Sequence, residues 1–142
     1  MNFETAVRVQ RSAEEVFDYV SEPQNFPDWN SAVQGVRRTS GDGDVGSTYS
    51  MERELPGGRA ENELEILTSV RPTEFALRTT SGPTPFIYRY RFDSEDGVTV
   101  VRLVAEVELT GVASALGPLG ARVVKHGVDA NFATLKRILE GT

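Results

Sequence analysis

The chain opens on a period-two alternation. Phe3, Thr5, Val7 and Val9 interleave with Glu4, Ala6, Arg8 and Gln10, the pattern of a strand with one buried face. Ser12-Ala13-Glu14-Glu15 follows with the spacing of a capping box, and Ala13, Val16, Phe17 and Val20 recur at helical steps. A short amphipathic helix is predicted there, ending before Pro23. Gln24 to Asn30 reads as a second helical turn with Phe26 and Trp29 on one face. From Val33 the period returns to two for about eighty residues. Strands are predicted over 33–38, 46–55, 59–70, 73–81, 86–92 and 98–109, with turns at Ser40 to Asp44, Pro56-Gly57-Gly58 and Glu95-Asp96-Gly97.

Within this stretch one set of alternate positions is apolar and aromatic: Tyr49, Met51 and Leu55; Asn62, Leu64 and Ile66; Phe75 and Leu77; Phe86, Tyr88, Tyr90 and Phe92; Val101, Leu103, Ala105, Val107 and Leu109. The other set is charged. An antiparallel sheet with one covered face has this pattern. Glu61, Glu63, Glu65, Glu106 and Glu108 are placed to pair across strands with Arg78, Arg89, Arg91 and Arg102, each exposed pair contributing roughly 0.2–1 kcal/mol. The period then changes once more. From Ser114 to Glu140 the residues Leu119, Val123, Val124, Val128, Phe132, Leu135 and Leu139 fall at three- and four-residue steps, predicting a long C-terminal helix. Gly117-Pro118 suits its first turn or a kink. Gly120 and Gly127 lie inside it, each costing about 1 kcal/mol against Ala. They are either tolerated helix glycines or positions that open space beside the helix or allow close sheet contact.

The pattern therefore gives an α+β fold: a curved antiparallel sheet of about seven strands, two short helices and a long C-terminal helix. Its 142 residues suit a single domain, 1–142. Net charge is −6 and the isoelectric point is near 4.8, a balance that disfavours nucleic acid and anionic membrane surfaces. The absence of Cys excludes disulfides, thiolate nucleophiles and thiolate metal sites. No signal peptide or membrane-spanning run is recognisable, so the expected location is cytoplasmic. One histidine and scattered carboxylates make no metal site. Gly41-Asp42-Gly43 and Gly57-Gly58 sit in hairpin turns rather than before a helix, so they are not phosphate loops.

The opening strand running into Arg11 to Val20, the segment Pro23-Gln24-Asn25-Phe26-Pro27-Asp28-Trp29-Asn30, and the closing Asn131 to Glu140 together resemble the START/Bet v 1-like superfamily, also called SRPBCC. Within it, the polyketide cyclase/dehydrase group is the most similar. The resemblance covers essentially the whole chain. It implies a helix-grip fold enclosing an apolar cavity between sheet and long helix, with no cofactor. It implies no single activity, since lipid carriers, hormone receptors and cyclases share the fold.

On that expectation the cavity is lined by Trp29, Tyr49, Met51, Asn62, Leu64, Phe75, Tyr88, Tyr90, Val123, Gly127 and Asn131. Strand parity also turns Arg53 and Thr79 inward. Arg53, however, adjoins the Leu55-Pro56 turn and is read as reaching solvent at the sheet end; turned inward, it would be the best anchor for an anion or carbonyl. Tyr88 and Tyr90 share a face with Phe86 and Phe92, and serve either as packing or as ligand contacts. His126 is the one side chain whose ordinary titration spans neutral pH, yet its place beside Lys125 reads as a helix flank. The leading expectation is binding of a small apolar or amphipathic molecule, of lipid or polyketide/aromatic type, by a monomer or homodimer. A cofactor-free cyclase or dehydratase using Tyr88, Tyr90, Arg53 or His126 is one alternative. An interaction or stress-response module without a ligand is another.

Overall fold

The computed structural model describes residues 1–55, 57–110 and 112–141, with backbone alone at 112 and 113. Pro56, placed by its sequence in a tight turn, lies outside them. The alternating segments become seven strands: β1 (Asn2–Val9), β2 (Val33–Ser40), β3 (Thr48–Leu55), β4 (Gly58–Val70), β5 (Glu74–Ser81), β6 (Phe86–Glu95) and β7 (Val98–Val107). They form one antiparallel sheet in the order β1-β7-β6-β5-β4-β3-β2, so chain-adjacent strands are neighbours except where β1 closes onto β7. Register shifts on β2 and on the long β4 add unpaired residues that bend the sheet.

The outer face carries ion pairs. Arg78–Glu65 and Arg89–Glu106 are pairs of the expected kind, whereas Arg91 turns to Glu74 and Arg102 to Asp93. The inner face is the core, with Tyr49, Leu64, Phe75, Phe92 and Leu103 almost fully buried.

Between β1 and β2 the chain makes α1 (Ala13–Val20), a 3-10 turn (Pro23–Asn25) and α2 (Phe26–Trp29). Ser12 caps α1 by accepting from the Glu15 backbone N–H, while its hydroxyl meets the Glu15 carboxylate at 3.1 Å. The buried side of α1 brings Phe17 edge-on to Phe92 at 5.4 Å. In α2, Phe26 and Trp29 meet edge to face at 5.7 Å.

The C-terminal segment is not one continuous helix. A short α3 (Val112–Ala115) precedes α4 (Pro118–Glu140), because Gly117 takes a left-handed φ of 59° and Pro118 brings no N–H to the first turn. The apolar stripe of α4 is also divided. Phe132, Leu135 and Leu139 are buried against the sheet, Val124 and Val128 are half-buried, and Leu119 and Val123 are exposed. Polar ties fix the helix: Thr5 donates to Asp129, Lys136 Nζ to the Arg8 carbonyl, and the Gln10 backbone N–H to Glu140. The C-terminal half of α4 thus fills the core, and the N-terminal half stands off the sheet.

Candidate functional site

Where α4 stands off, a cavity of about 200 Å³ remains. Its sheet wall is Met51 and Arg53 on β3, Phe86, Tyr88 and Tyr90 on β6, and Val107 on β7. Val123, Val124, Gly127, Val128 and Asn131 of α4 form the opposite wall, and Phe26 and Trp29 close one side. Ser31, Glu54 and Val123 border the cavity and are themselves exposed, which places its mouth between the loop after α2, the end of β3 and the start of α4. The helix wall is open at Gly127, where a built Cβ would meet nothing within 4 Å.

Period-two geometry puts Phe86, Tyr88 and Tyr90 on one face of β6. Their rings run in series, 4.3 Å from Phe86 to Tyr88 and 6.3 Å from Tyr88 to Tyr90 between centroids, and Tyr90 continues to Phe132 at 6.3 Å. Among the described residues neither tyrosine hydroxyl has a hydrogen-bond partner. Burial pushes the Tyr88 hydroxyl up to about 12, against a smaller opposing pull from Arg53, and burial raises Tyr90 well above the ordinary phenol range. Both stay protonated at neutral pH.

Arg53 is buried, 8% exposed, in place of the solvent-reaching side chain expected at the sheet end. The cause is the loop between β5 and β6, which folds over it. Nε donates to Asn62 Oδ1 at 2.8 Å, and Nη2 donates to the carbonyls of Pro83 at 2.9 Å and Thr84 at 3.0 Å. Asn62 in turn donates through Nδ2 to the Ser81 and Pro83 carbonyls. The loop reaches this position only because Gly82 adopts φ +97°; a Cβ there would lie 2.6 Å from Asn62 Nδ2 and nearer still to the Glu61 carbonyl oxygen. Thr84 also has positive φ, 50°, a strained conformation for a β-branched residue, held by its backbone N–H donating to Thr110 Oγ1 at 2.8 Å. The Arg53 guanidinium lies 5.3 Å over the Phe86 ring and has no ion-pair partner among the described residues. Desolvation lowers its pKa from the usual arginine value, opposed by Tyr88.

Two further polar groups border the cavity. The Trp29 indole Nε1–H is buried with no acceptor among the described residues. Asn131 Oδ1 accepts from the Ser31 backbone N–H at 3.1 Å, which fixes the amide, and its Nδ2 has no acceptor among the described residues.

Trp29, Met51, Tyr88, Tyr90, Val123, Gly127 and Asn131 therefore come together around one space. Tyr49, Asn62, Leu64 and Phe75, expected beside them, do not line it. Leu64 is fully buried, and Phe75 stacks against Tyr90 at 6.1 Å, so both belong to packed core. Tyr49 pairs with Arg38 near the β2–β3 hairpin. Asn62 is spent on Arg53 and the loop carbonyls. Thr79, the other residue that parity turned inward, accepts from the Phe86 N–H at 3.0 Å and stays outside the lining. His126 is exposed and outside the lining. Phe26, Val107 and Thr84 border the cavity without having been singled out. Strand parity put Val107 on the covered face without marking it as cavity lining; nothing local marks Thr84, whose place depends on the loop.

A family model described as polyketide cyclase / dehydrase and lipid transport matches residues 1–140. No curated protein matches the sequence significantly. Among solved structures, a START superfamily protein from Mycobacterium smegmatis superposes with a TM-score of 0.83 at 16% identity, covering 99% of this chain and 97% of that one. Ginseng major latex-like protein 151 from Panax ginseng gives 0.74 at 13% identity, with 99% and 98% covered. The di-domain ARO/CYC StfQ of the steffimycin biosynthetic pathway gives 0.70 at 14%, covering 95% of this chain and 44% of that one. At these identities the likeness is one of fold.

Proposed function

Since the chain belongs to the polyketide cyclase/dehydrase and lipid transport family, we propose that it binds a small apolar or amphipathic molecule in the cavity between the sheet and α4. The observation that carries this reading is a wall of aromatic and aliphatic side chains punctuated by polar groups that have no hydrogen-bond partner among the described residues: the Trp29 indole, the Tyr88 and Tyr90 hydroxyls and Asn131 Nδ2. Ligand sites combine apolar walls with a few such groups, because each one fixes orientation at a site already shielded from water. At about 200 Å³ the space is below the roughly 300–1,000 Å³ of drug-sized sites, which favours a compact ligand of one or two rings over a sterol or a long acyl chain.

The reading is tested by a thermal-shift panel of flat aromatics, phenols, sterols and fatty acids. A ligand at a hundred times its Kd adds about 2.7 kcal/mol, raising Tm by about 5–10 °C for a domain of this size. Shifts confined to compact ring compounds support it. No shift across the panel refutes it and favours an interaction module, for which Leu116, Leu119 and Val123 stand exposed.

Catalysis is a second reading, favoured by the same phenols. With their pKa values raised, Tyr88 and Tyr90 could donate a hydrogen bond or proton to a developing enolate, and neither would serve as a base at neutral pH. His126 stands outside the lining. Tyr88→Phe separates the two: a catalyst loses turnover while retaining affinity, whereas a carrier shows no turnover to lose.

A further inference from the structure

We propose that the ligand of this cavity is an organic anion, a carboxylate on a compact one- or two-ring frame, seated with its charged end on Arg53. The inference rests on the reading that the cavity holds a ligand, and it specifies that ligand's charge.

A guanidinium remains charged under all ordinary conditions and presents five N–H donors. Arg53 spends three of them: Nε on Asn62, and both N–H groups of Nη2 on the Pro83 and Thr84 carbonyls. All three acceptors are neutral. The two N–H groups of Nη1 have no acceptor among the described residues, and no carboxylate offsets the charge. A buried cation without a counter-ion is expensive, and proteins normally pair it. Holding the loop between β5 and β6 accounts for Nε and Nη2. It accounts for neither Nη1 nor the full charge, and Arg53 borders the cavity.

The rest of the polar lining has the same bias. Trp29 Nε1 and Asn131 Nδ2 can only donate, and the Asn131 oxygen is already taken by Ser31. The phenols of Tyr88 and Tyr90 stay protonated and can donate as well. Glu54, the acidic residue in the lining, points by strand alternation to the outer face, where its carboxylate accepts from Gln34 Nε2 at 3.3 Å. A cavity with one uncompensated positive charge and an excess of donors complements an acceptor-rich anion. A neutral hydrocarbon would leave these groups unpaired, and a cationic ligand would face Arg53.

The test compares 2-naphthoate with 2-naphthamide, which share a frame and differ in charge, by isothermal titration calorimetry on the unaltered protein and on Arg53→Met. The expected result is that the naphthoate binds at least about tenfold more tightly to the unaltered protein, a charge-assisted contact against a neutral one. In Arg53→Met that preference falls to within about twofold. Equal affinity for the two compounds, or a preference that survives Arg53→Met, overturns the inference. If Arg53→Met does not fold, the comparison on the unaltered protein decides alone. If neither naphthalene binds while a neutral compound of the thermal-shift panel does, the anion inference fails and the binding cavity stands. If nothing in either set binds, both fail.

Discussion

Gly127 offers a test in which stability and binding separate. A glycine inside a helix costs about 1 kcal/mol relative to alanine, through backbone entropy lost on folding. At most buried positions a new methyl group would also clash, offsetting that gain. At Gly127 the added Cβ meets no atom within 4 Å, so no steric cost opposes it and the gain should be nearly complete. Gly127→Ala is therefore expected to stabilise the protein by about 1 kcal/mol, raising Tm by about 2–4 °C for a chain of this length. Gly127→Leu keeps the helical gain and extends a branched side chain from the helix wall into the cavity. Scanning calorimetry should show both variants at least as stable as the parent. Ligand titration should show binding retained in Gly127→Ala and lost or greatly weakened in Gly127→Leu. A Gly127→Ala protein no more stable than its parent would mean that the space beside the helix is filled. Undiminished binding in Gly127→Leu would mean that the ligand, if any, sits elsewhere.

Other expectations follow from the same geometry. Gly82→Ala forces a Cβ onto Asn62 and the Glu61 carbonyl at a φ of +97°, and should cost about 3 kcal/mol in urea unfolding; a change under about 1 kcal/mol would contradict the close packing of that loop. Tyr88 holds its proton to about 12 in the folded state, where an unfolded chain releases it near 10, so stability should decline as pH rises from about 10. Phenolate absorbance should show a late phase whose amplitude Tyr88→Phe reduces, the remainder belonging to Tyr90. Asp129 is held below the ordinary aspartate range first by the Thr5 hydroxyl at 2.5 Å and then by Lys125. Its contribution is present above the unfolded pKa and is lost as pH falls through the lower folded value. Asp129→Asn should then be less stable at neutral pH and lose less than the parent between about pH 5 and pH 2, read as the shift in urea midpoint.

The alternation of apolar and charged residues by itself determined the strands and the face each presents. A strand's side-chain period is exact enough that Phe86, Tyr88 and Tyr90 had to share the covered side, and the charged face followed as its complement. Helical spacing likewise determined α1 and most of α4. These are local consequences of backbone geometry, carried by neighbours a few residues apart.

Tertiary structure alone decided where packing ends and the cavity begins. Leu64 and Phe75 have the same parity as Met51 and Tyr88, yet the first two are sealed in the core and the last two border open space, because the fully buried apolar side chains of α4, Phe132, Leu135 and Leu139, all lie in its C-terminal half. Parity turned Arg53 inward, but the neighbouring turn pointed to solvent. What buries it is a loop about thirty residues further along the chain, folded over it by Gly82 and Thr84. Periodicity reports which side of an element a residue occupies. Whether that side meets another side chain, a carbonyl or a void depends on how distant elements are brought together, which is why Arg53 and the cavity it borders emerged only in three dimensions.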